Sequence, residues 1–329
     1  MPDTLYIVVP CYNEEDVLPE ASSRLKEKLS QMIASGVAAN RSKILFIDDG
    51  SKDKTWAIIE ALHNVDEIFS GVKLARNRGH QNALLAGLMT AMRLADVTIS
   101  IDADLQDDIG CLDEFMAHYY SGCDIVYGVR SDRKKDSTFK RLTAQSFYKL
   151  MDKLGVNIVY NHADYRLMSR RALEGLASFR EANMFLRGIV PLIGYKTGIV
   201  QYSRGERFAG QTKYPLKKML TFAWDGVSSF SIRPIRFIAA LGLFVFFISL
   251  CFMIYALISN AAGHAVPGWT MLMISIWMLG GIQLLALGVI GEYIGKIYSE
   301  VKARPKYIIE TVLDIAQGNN SDKGPSADE

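Results

Sequence analysis

Two stretches without a charged side chain, Phe237 to Ser259 and Thr270 to Gly291, constrain this 329-residue chain more than any other feature. Each exceeds the roughly 20 residues that carry a helix across a bilayer. A lipid interior admits only segments that satisfy their own backbone hydrogen bonds. Two apolar runs of that length, separated by the short link from Asn260 to Trp269, form a hairpin that no small soluble core could cover. The expectation is therefore a transmembrane hairpin within residues 233–298, with helices at about 235–259 and 270–294. Lys217, Lys218, Arg233 and Arg236 precede the first run, and Lys296, Lys302, Arg304 and Lys306 follow the second. The link has neither Lys nor Arg, so the positive-inside rule places both flanks in the cytoplasm.

The preceding residues read differently. Leu5 to Val9 is a short β-like run followed at once by polar and turn residues, not a signal peptide, so this part also belongs in the cytoplasm. Further strand-like runs at Ile44 to Ile47, Val72 to Ala75, Val97 to Ile101 and Ile125 to Val129 alternate with helical patterns. Glu14 to Ile33 has helical composition, Trp56, Ile59 and Leu62 share a face, and so do Leu84, Leu88, Ala91 and Leu94. Such alternation predicts an α/β fold, a mostly parallel sheet with helices on both faces. Ligands of open α/β sheets bind at the carboxyl ends of strands. The polar clusters fall there, at Pro10 to Glu15, Asp48 to Asp53, Asp102 to Asp108 and Arg130.

Apolar residues from Phe139 to Leu154 mark one further helix face, read as core packing. A second amphipathic stretch, with Leu216, Met219, Leu220, Ala223, Val227 and Phe230 on one side and Lys217 and Lys218 on the other, suits the headgroup plane. The expected organisation is a cytosolic domain at 1–214, a juxtamembrane helix at 215–232, the hairpin, and a cytosolic segment at 299–329 with a disordered polar tail. A net charge of +2 gives no dominating basic field, which argues against nucleic acid as a partner. Cys11, Cys111, Cys123 and Cys251 have no metal-ligand or redox spacing and are expected as free thiols.

The chemistry concentrates in Ile99-Ser100-Ile101-Asp102-Ala103-Asp104-Leu105-Gln106-Asp107-Asp108. If the strand continues through Asp102 and Asp104, alternation puts both carboxylates on one face. Two anions held that close call for a cation. Hard oxygen ligands suit Mg2+ or Mn2+, completed by substrate phosphates and water. Asp107 and Asp108 could instead cap the helix starting near Ile109.

Taken with Val9-Pro10-Cys11-Tyr12-Asn13-Glu14-Glu15 and Ile47-Asp48-Asp49-Gly50-Ser51-Lys52-Asp53, this segment resembles family 2 glycosyltransferases with the Rossmann-like GT-A fold. Asp164-Tyr165-Arg166-Leu167-Met168-Ser169, the segment Arg204 to Tyr214 and the two spans narrow the resemblance to polyprenyl-phosphate glycosyltransferases. Among these it is more similar to bacterial bactoprenol glucosyltransferases than to dolichol-phosphate mannose synthases. The resemblance implies that Pro10, Tyr12, Glu14, Ile47, Asp49, Asp102 and Ala103 line a sugar nucleotide. It further implies that Asp102, Asp104 and Gln106 hold the metal, that Arg207 and Lys213 meet the diphosphate from a mobile loop, and that Arg130 and Arg141 bind the acceptor phosphate. Tyr12 and Ile47 have an alternative role in packing, and Arg141 as a solvated charge.

A phosphate monoester has its second pKa near 6, so the acceptor oxygen is already a nucleophile at neutral pH. Cations near the acceptor should then matter more than a catalytic base. Asp164 is a candidate base or sugar-hydroxyl ligand, or else the ion-pair partner of Arg166. The expected reaction inverts the sugar and moves glucose from UDP-glucose to polyprenyl phosphate at the membrane, with mannose from GDP-mannose and modified arabinose as alternatives. A processive polysaccharide synthase fits poorly, because none of the four tryptophans stands in a Gln-x-x-Arg-Trp pattern. A membrane-anchored sugar-nucleotide sensor would not need the acceptor cations. The exposed hairpin makes self-association plausible.

Overall fold

The structure, a computed structural model, describes residues 2–131, 162–181, 186–203, 205 and 268–313, together with separate helical residues between Ile238 and Ile258. One compact unit comprises residues 1–145, 158–213 and 305–329, and another comprises 146–157 and 214–304.

The first unit is built on an eight-stranded sheet. Its strands are β1 (Leu5–Cys11), β2 (Lys43–Asp48), β3 (Phe69–Leu74), β4 (Val97–Ser100), β5 (Ile125–Arg130), β6 (His162–Ser169), β7 (Thr197–Tyr202) and β8 (Ile309–Leu313). The order across the sheet is β7-β5-β6-β4-β1-β2-β3-β8. Strands β4, β1, β2 and β3 form a contiguous parallel set and β5 pairs parallel with β7, whereas β6 runs antiparallel between β4 and β5, and β8 runs antiparallel along β3. All seven residues of β1 are buried, as a parallel strand covered on both faces must be. The expected α/β class and mostly parallel sheet are present.

Helices α1 (Leu18–Ala34), α2 (Thr55–Val65), α3 (His80–Ala91) and α4 (Leu112–Tyr120) connect the strands. Two shorter helices, α5 (Arg170–Ala177) and α6 (Leu186–Ile189), follow β6. Helix α1 buries Leu18, Ala21, Leu25, Leu29 and Met32, a stripe at helical spacing, against Ile7, Val9 and Phe46 in one core. Ile59 of α2 and Phe115 of α4 join the same core. Helix α3 covers the opposite face, where Val8 and Ile47 project by strand alternation. Gly87 permits that approach, since a Cβ there would lie 2.5 Å from Val8 Cγ1 and 2.7 Å from Ile47 Cγ1.

Three strands escaped the sequence reading. β6 begins in a segment recognised only by resemblance, β7 has an exposed alternate face, and β8 is a five-residue edge strand. β8 shows that part of the C-terminal segment completes the sheet, with Lys73 Nζ 3.2 Å from Glu310 Oε1 across the pair. The tail from residue 314 lies outside the described residues, as do the segment Thr138 to Leu154 and the amphipathic stretch 215–232.

In the second unit, α7 (Trp269–Val301) contains one stretch, Met278–Val301, long and apolar enough to cross a membrane. Leu272, Ile276, Leu284 and Ile290 on it are all exposed, and a helix with apolar groups open on several sides suits lipid. The first expected span lies largely outside the described residues. Those described there are helical, and most of them, Phe244, Phe247 and Tyr255 included, are exposed.

Candidate functional site

Because β1 to β4 are parallel, the loops following them open on one edge of the sheet. β6 runs the other way, so its first residues arrive at that same edge. Ser100 of β4 stands opposite Arg166 of β6, and just beyond these strand ends the Asp102 and Asp164 carboxylates come close enough to share His80 as a neighbour. The Ser100 hydroxyl donates to the Asp164 carbonyl and pins the pair. Facing carboxylates repel, and the fold supplies cations for both. His80 Nε2, at the start of α3, lies 3.5 Å from Asp102 Oδ1 and 3.5 Å from Asp164 Oδ2. Arg187 of α6 donates to both oxygens of Asp164, Nε to Oδ1 at 3.1 Å and Nη2 to Oδ2 at 3.0 Å.

Helix α6 is held in place by Gln81, whose Oε1 accepts the Leu186 N–H at 2.9 Å. Arg166, the partner considered from sequence, is buried with Nη2 3.8 Å from Asp164 Oδ1 and its guanidinium over the Tyr127 ring. Burial works against the Asp164 charge, but Arg187 and His80 hold its carboxyl well below the usual range. Burial also opposes a charge on His80, yet Asp164 and Asp102 raise its pKa. Asp102 is pushed up by burial, relieved in part by His80 and burdened further by Asp164 and Asp104.

The expected geometry of the Asp-x-Asp segment needs correction. β4 ends at Ser100, so Asp102 and Asp104 lie in a loop and do not share a face through strand alternation. The loop turns at Leu105, in the left-handed region at φ 57°. Asp104 Oδ1 accepts the Gln106 N–H at 3.2 Å. Asp108 caps the helical turn at Ile109 by accepting the Gly110 N–H at 2.8 Å. Asp107 does not cap: it is buried, and its Oδ1 accepts the Tyr202 hydroxyl at 2.5 Å. Burial and the nearby Asp102 charge raise the Asp107 pKa to about 6. The same Tyr202 oxygen accepts from Arg130 Nε at 3.3 Å.

Among the described residues, no three His, Cys, Asp or Glu side chains form a metal cluster. The carboxylates of Asp102 and Asp104 and the amide oxygen of Gln106 still make a hard-oxygen set suited to Mg2+ or Mn2+. Burial, followed by the Asp164 and Asp104 charges, pushes the Asp102 pKa up against the pull of His80, and a cation there would favour its ionised form. These residues therefore fit a metal whose remaining ligands come from substrate phosphate and water.

The other predicted residues fall around this edge. Pro10 ends the buried run of β1 with Cys11, Tyr12 is 41% exposed, and Ala103 is buried. Glu14 begins the chain into α1, and its N–H donates to Thr55 Oγ1 at 2.9 Å. Ile47 is fully buried, with its side chain packed beneath Gly87. Asp49 is buried too, accepting the N–H groups of Arg78 at 2.7 Å and Gly79 at 2.8 Å. It thereby joins the loop after β2 to the loop before α3. Gly50 allows the contact, with φ 66° and a position where a Cβ would meet Arg76 carbonyl carbon at 2.6 Å. Arg141, Arg207 and Lys213 lie outside the described residues.

Sequence reading missed His80, Arg187, Tyr202 and the role of Asp107. A signal existed for His80, because Arg76 to His80 is another polar cluster at a strand's carboxyl end. No local pattern marks Arg187 or Tyr202, which reach the site from α6 and β7.

The family model for glycosyl transferase family 2 matches residues 6–176. The uncharacterized glycosyltransferase YkoT of Bacillus subtilis (strain 168) is 57% identical over 309 residues, covering 94% of this chain and 92% of that protein. The SfII prophage-derived bactoprenol glucosyl transferase of Shigella flexneri is 41% identical over 306 residues, covering 92% of this chain and 96% of its own length. Among solved structures, glucosyl-3-phosphoglycerate synthase from Mycobacterium tuberculosis, in complex with Mn2+, UDP and phosphoglyceric acid, matches with TM-score 0.46 and 18% identity, covering 69% of this chain and 76% of that one. On the family match and these identities, the chain belongs to glycosyl transferase family 2 and is a glycosyltransferase.

Proposed function

We propose that this enzyme transfers glucose from UDP-glucose to a polyprenyl phosphate of undecaprenyl type at the cytoplasmic membrane face. The transfer inverts the sugar, depends on Mg2+ or Mn2+, and yields a lipid-phosphate sugar that serves as donor for cell-envelope glycan modification. The observation that carries this reading is the 41% identity, over 92% of the chain, with a protein named bactoprenol glucosyl transferase. Exposed apolar side chains on α7 support a membrane location. A hairpin completed by Phe237 to Ser259 would keep the site near the headgroups, where the prenyl tail is confined.

Breaking the sugar–phosphate bond leaves negative charge on the departing diphosphate and positive charge at the anomeric carbon. A divalent ion held by Asp102, Asp104 and Gln106 would supply charge stabilisation for the diphosphate. Arg207 and Lys213 add positive charge on the same side of the reaction. Arg130 and Arg141 orient the acceptor phosphate, which attacks without giving up a proton because it is already ionised. Asp164 is paired with Arg187 and His80 and held well below the usual carboxylate range, which makes it a weak base. Its role in this reading is to orient His80 and Arg187 around the sugar, with Asp102 facing them.

The test uses purified full-length enzyme with polyprenyl phosphate, Mg2+ or Mn2+, and separately labelled UDP-glucose, GDP-mannose and a nucleotide-linked modified arabinose. Labelled lipid from UDP-glucose is expected. Label arriving only from another donor reassigns the sugar. Nucleotide binding with no labelled lipid from any donor overturns the transfer reading in favour of a sensor.

A further inference from the structure

The Tyr202 hydroxyl joins two charged side chains that would serve different substrates. It donates to Asp107 Oδ1 at 2.5 Å, inside the loop that carries Asp102, Asp104 and Gln106. It accepts from Arg130 Nε at 3.3 Å, at the end of β5. A buried phenol needs only one partner, and a backbone carbonyl would suffice. Here both partners are side chains from loops or strand ends at the candidate site.

Backbone contacts reinforce the same junction. Ser131 N–H donates to the Tyr202 carbonyl at 2.9 Å, and Gly205 N–H donates to the Gln106 carbonyl at 2.8 Å. The chain leaving β7 toward Arg207 and Lys213 is thus stitched to the Asp-x-Asp loop at its root. The Tyr202 ring is fixed from beneath, with Tyr165 edge-on at 5.3 Å and the Tyr165 hydroxyl donating to the Asp108 carbonyl at 2.9 Å. Tyr202 is 2% exposed, so it meets no substrate directly. Its bond to Arg130 uses the inner nitrogen of the guanidinium. Outer nitrogens are the ones suited to bidentate phosphate contact.

We propose that Tyr202 is a positioning residue that couples donor and acceptor sites, its hydroxyl setting the Arg130 guanidinium in register with the loop that binds the sugar nucleotide. This rests on the reading of Arg130 as an acceptor-phosphate contact. Nucleotide binding that orders the Asp102 to Asp108 loop is then transmitted through Asp107 and Tyr202 to the lipid phosphate site.

Tyr202→Phe keeps the ring and removes the link. In full-length enzyme it is expected to raise KM for polyprenyl phosphate about 10- to 100-fold, the loss of one hydrogen bond to a charged group. The kcat and the affinity for UDP with Mg2+ should each stay within about 3-fold. In wild type, UDP with Mg2+ should tighten polyprenyl phosphate binding, and this dependence should vanish in Tyr202→Phe. An unchanged lipid KM with the dependence intact overturns the proposal. Equal weakening of both substrates with a lowered melting temperature assigns Tyr202 to structure alone and also overturns it. Arg130→Gln separates the two levels: an unchanged lipid KM there removes the acceptor reading itself, whereas a raised value beside an unaffected Tyr202→Phe removes only the coupling. The double variant should be no worse for lipid KM than Arg130→Gln.

Discussion

Arg187 grips Asp164 through a two-pronged ion pair, with nitrogen–oxygen distances of 3.1 and 3.0 Å, although the residues belong to a short helix and a strand separated by 23 positions in the chain. Asp164 is buried and the Arg187 side chain is 38% exposed. The pair is what allows a second carboxylate to stand beside Asp102.

Arg187→Gln should therefore destabilise the chain at neutral pH by about 1–3 kcal/mol, below the figure for a fully buried pair because water screens the exposed arginine. The Asp164 pKa is depressed in the folded state, so its contribution is complete above the unfolded value near 4 and fades as pH falls through the lower folded value. Denaturation midpoints of detergent-solubilised wild type and variant should differ at pH 7, and the gap should narrow as the pH falls below the unfolded value near 4. A constant gap at all pH values would contradict the pairing.

Asp107 has the opposite sign. Its folded pKa is raised to about 6, so it favours the folded state fully below the unfolded value near 4 and loses that contribution as pH rises through 6. Asp107→Asn removes a buried charge while retaining an acceptor for Tyr202. The variant should flatten the pH dependence of melting between about pH 4 and 7 and gain about 1–3 kcal/mol relative to wild type at pH 8, measured in chelator.

Gly87→Ala tests the packing of α3. Alanine gains up to about 1 kcal/mol of helix propensity. The added Cβ, 2.5 Å from Val8 and 2.7 Å from Ile47, costs about 1–3 kcal/mol of overpacking. A net fall in melting temperature is expected. A rise would mean that the helix and sheet are farther apart than this geometry requires.

Asp104→Asn should lower kcat by about 10²- to 10³-fold, the range seen when one electrostatic stabiliser of a developing charge is removed. Chelation of wild type should do the same and be reversed by Mg2+ or Mn2+. Full turnover in chelator would remove the metal from the mechanism.

The parallel strands, the polar clusters at their carboxyl ends and the apolar length of α7 were all legible from sequence, because each is a local property. β1 is buried along its whole length, and α1 places its buried residues at helical spacing. The end of β4 was less legible, since the turn at Leu105 depends on a left-handed residue that composition does not announce. β8 was missed because an edge strand with a half-exposed pattern has little hydrophobic signal of its own.

By itself, the order of residues determined an α/β domain with acidic loops at one sheet edge and a lipid-compatible helix beyond it, since periodicity and local charge need no knowledge of distant partners. Tertiary structure alone decided that β6 enters antiparallel beside β4, which brings Asp164 against Asp102 and recruits His80 and Arg187 to balance them. It likewise decided that Tyr202 stands between Arg130 and Asp107. The physical reason is that charge balance and hydrogen bonding act through space at a few ångströms, and strand order, not chain position, sets which groups come that close.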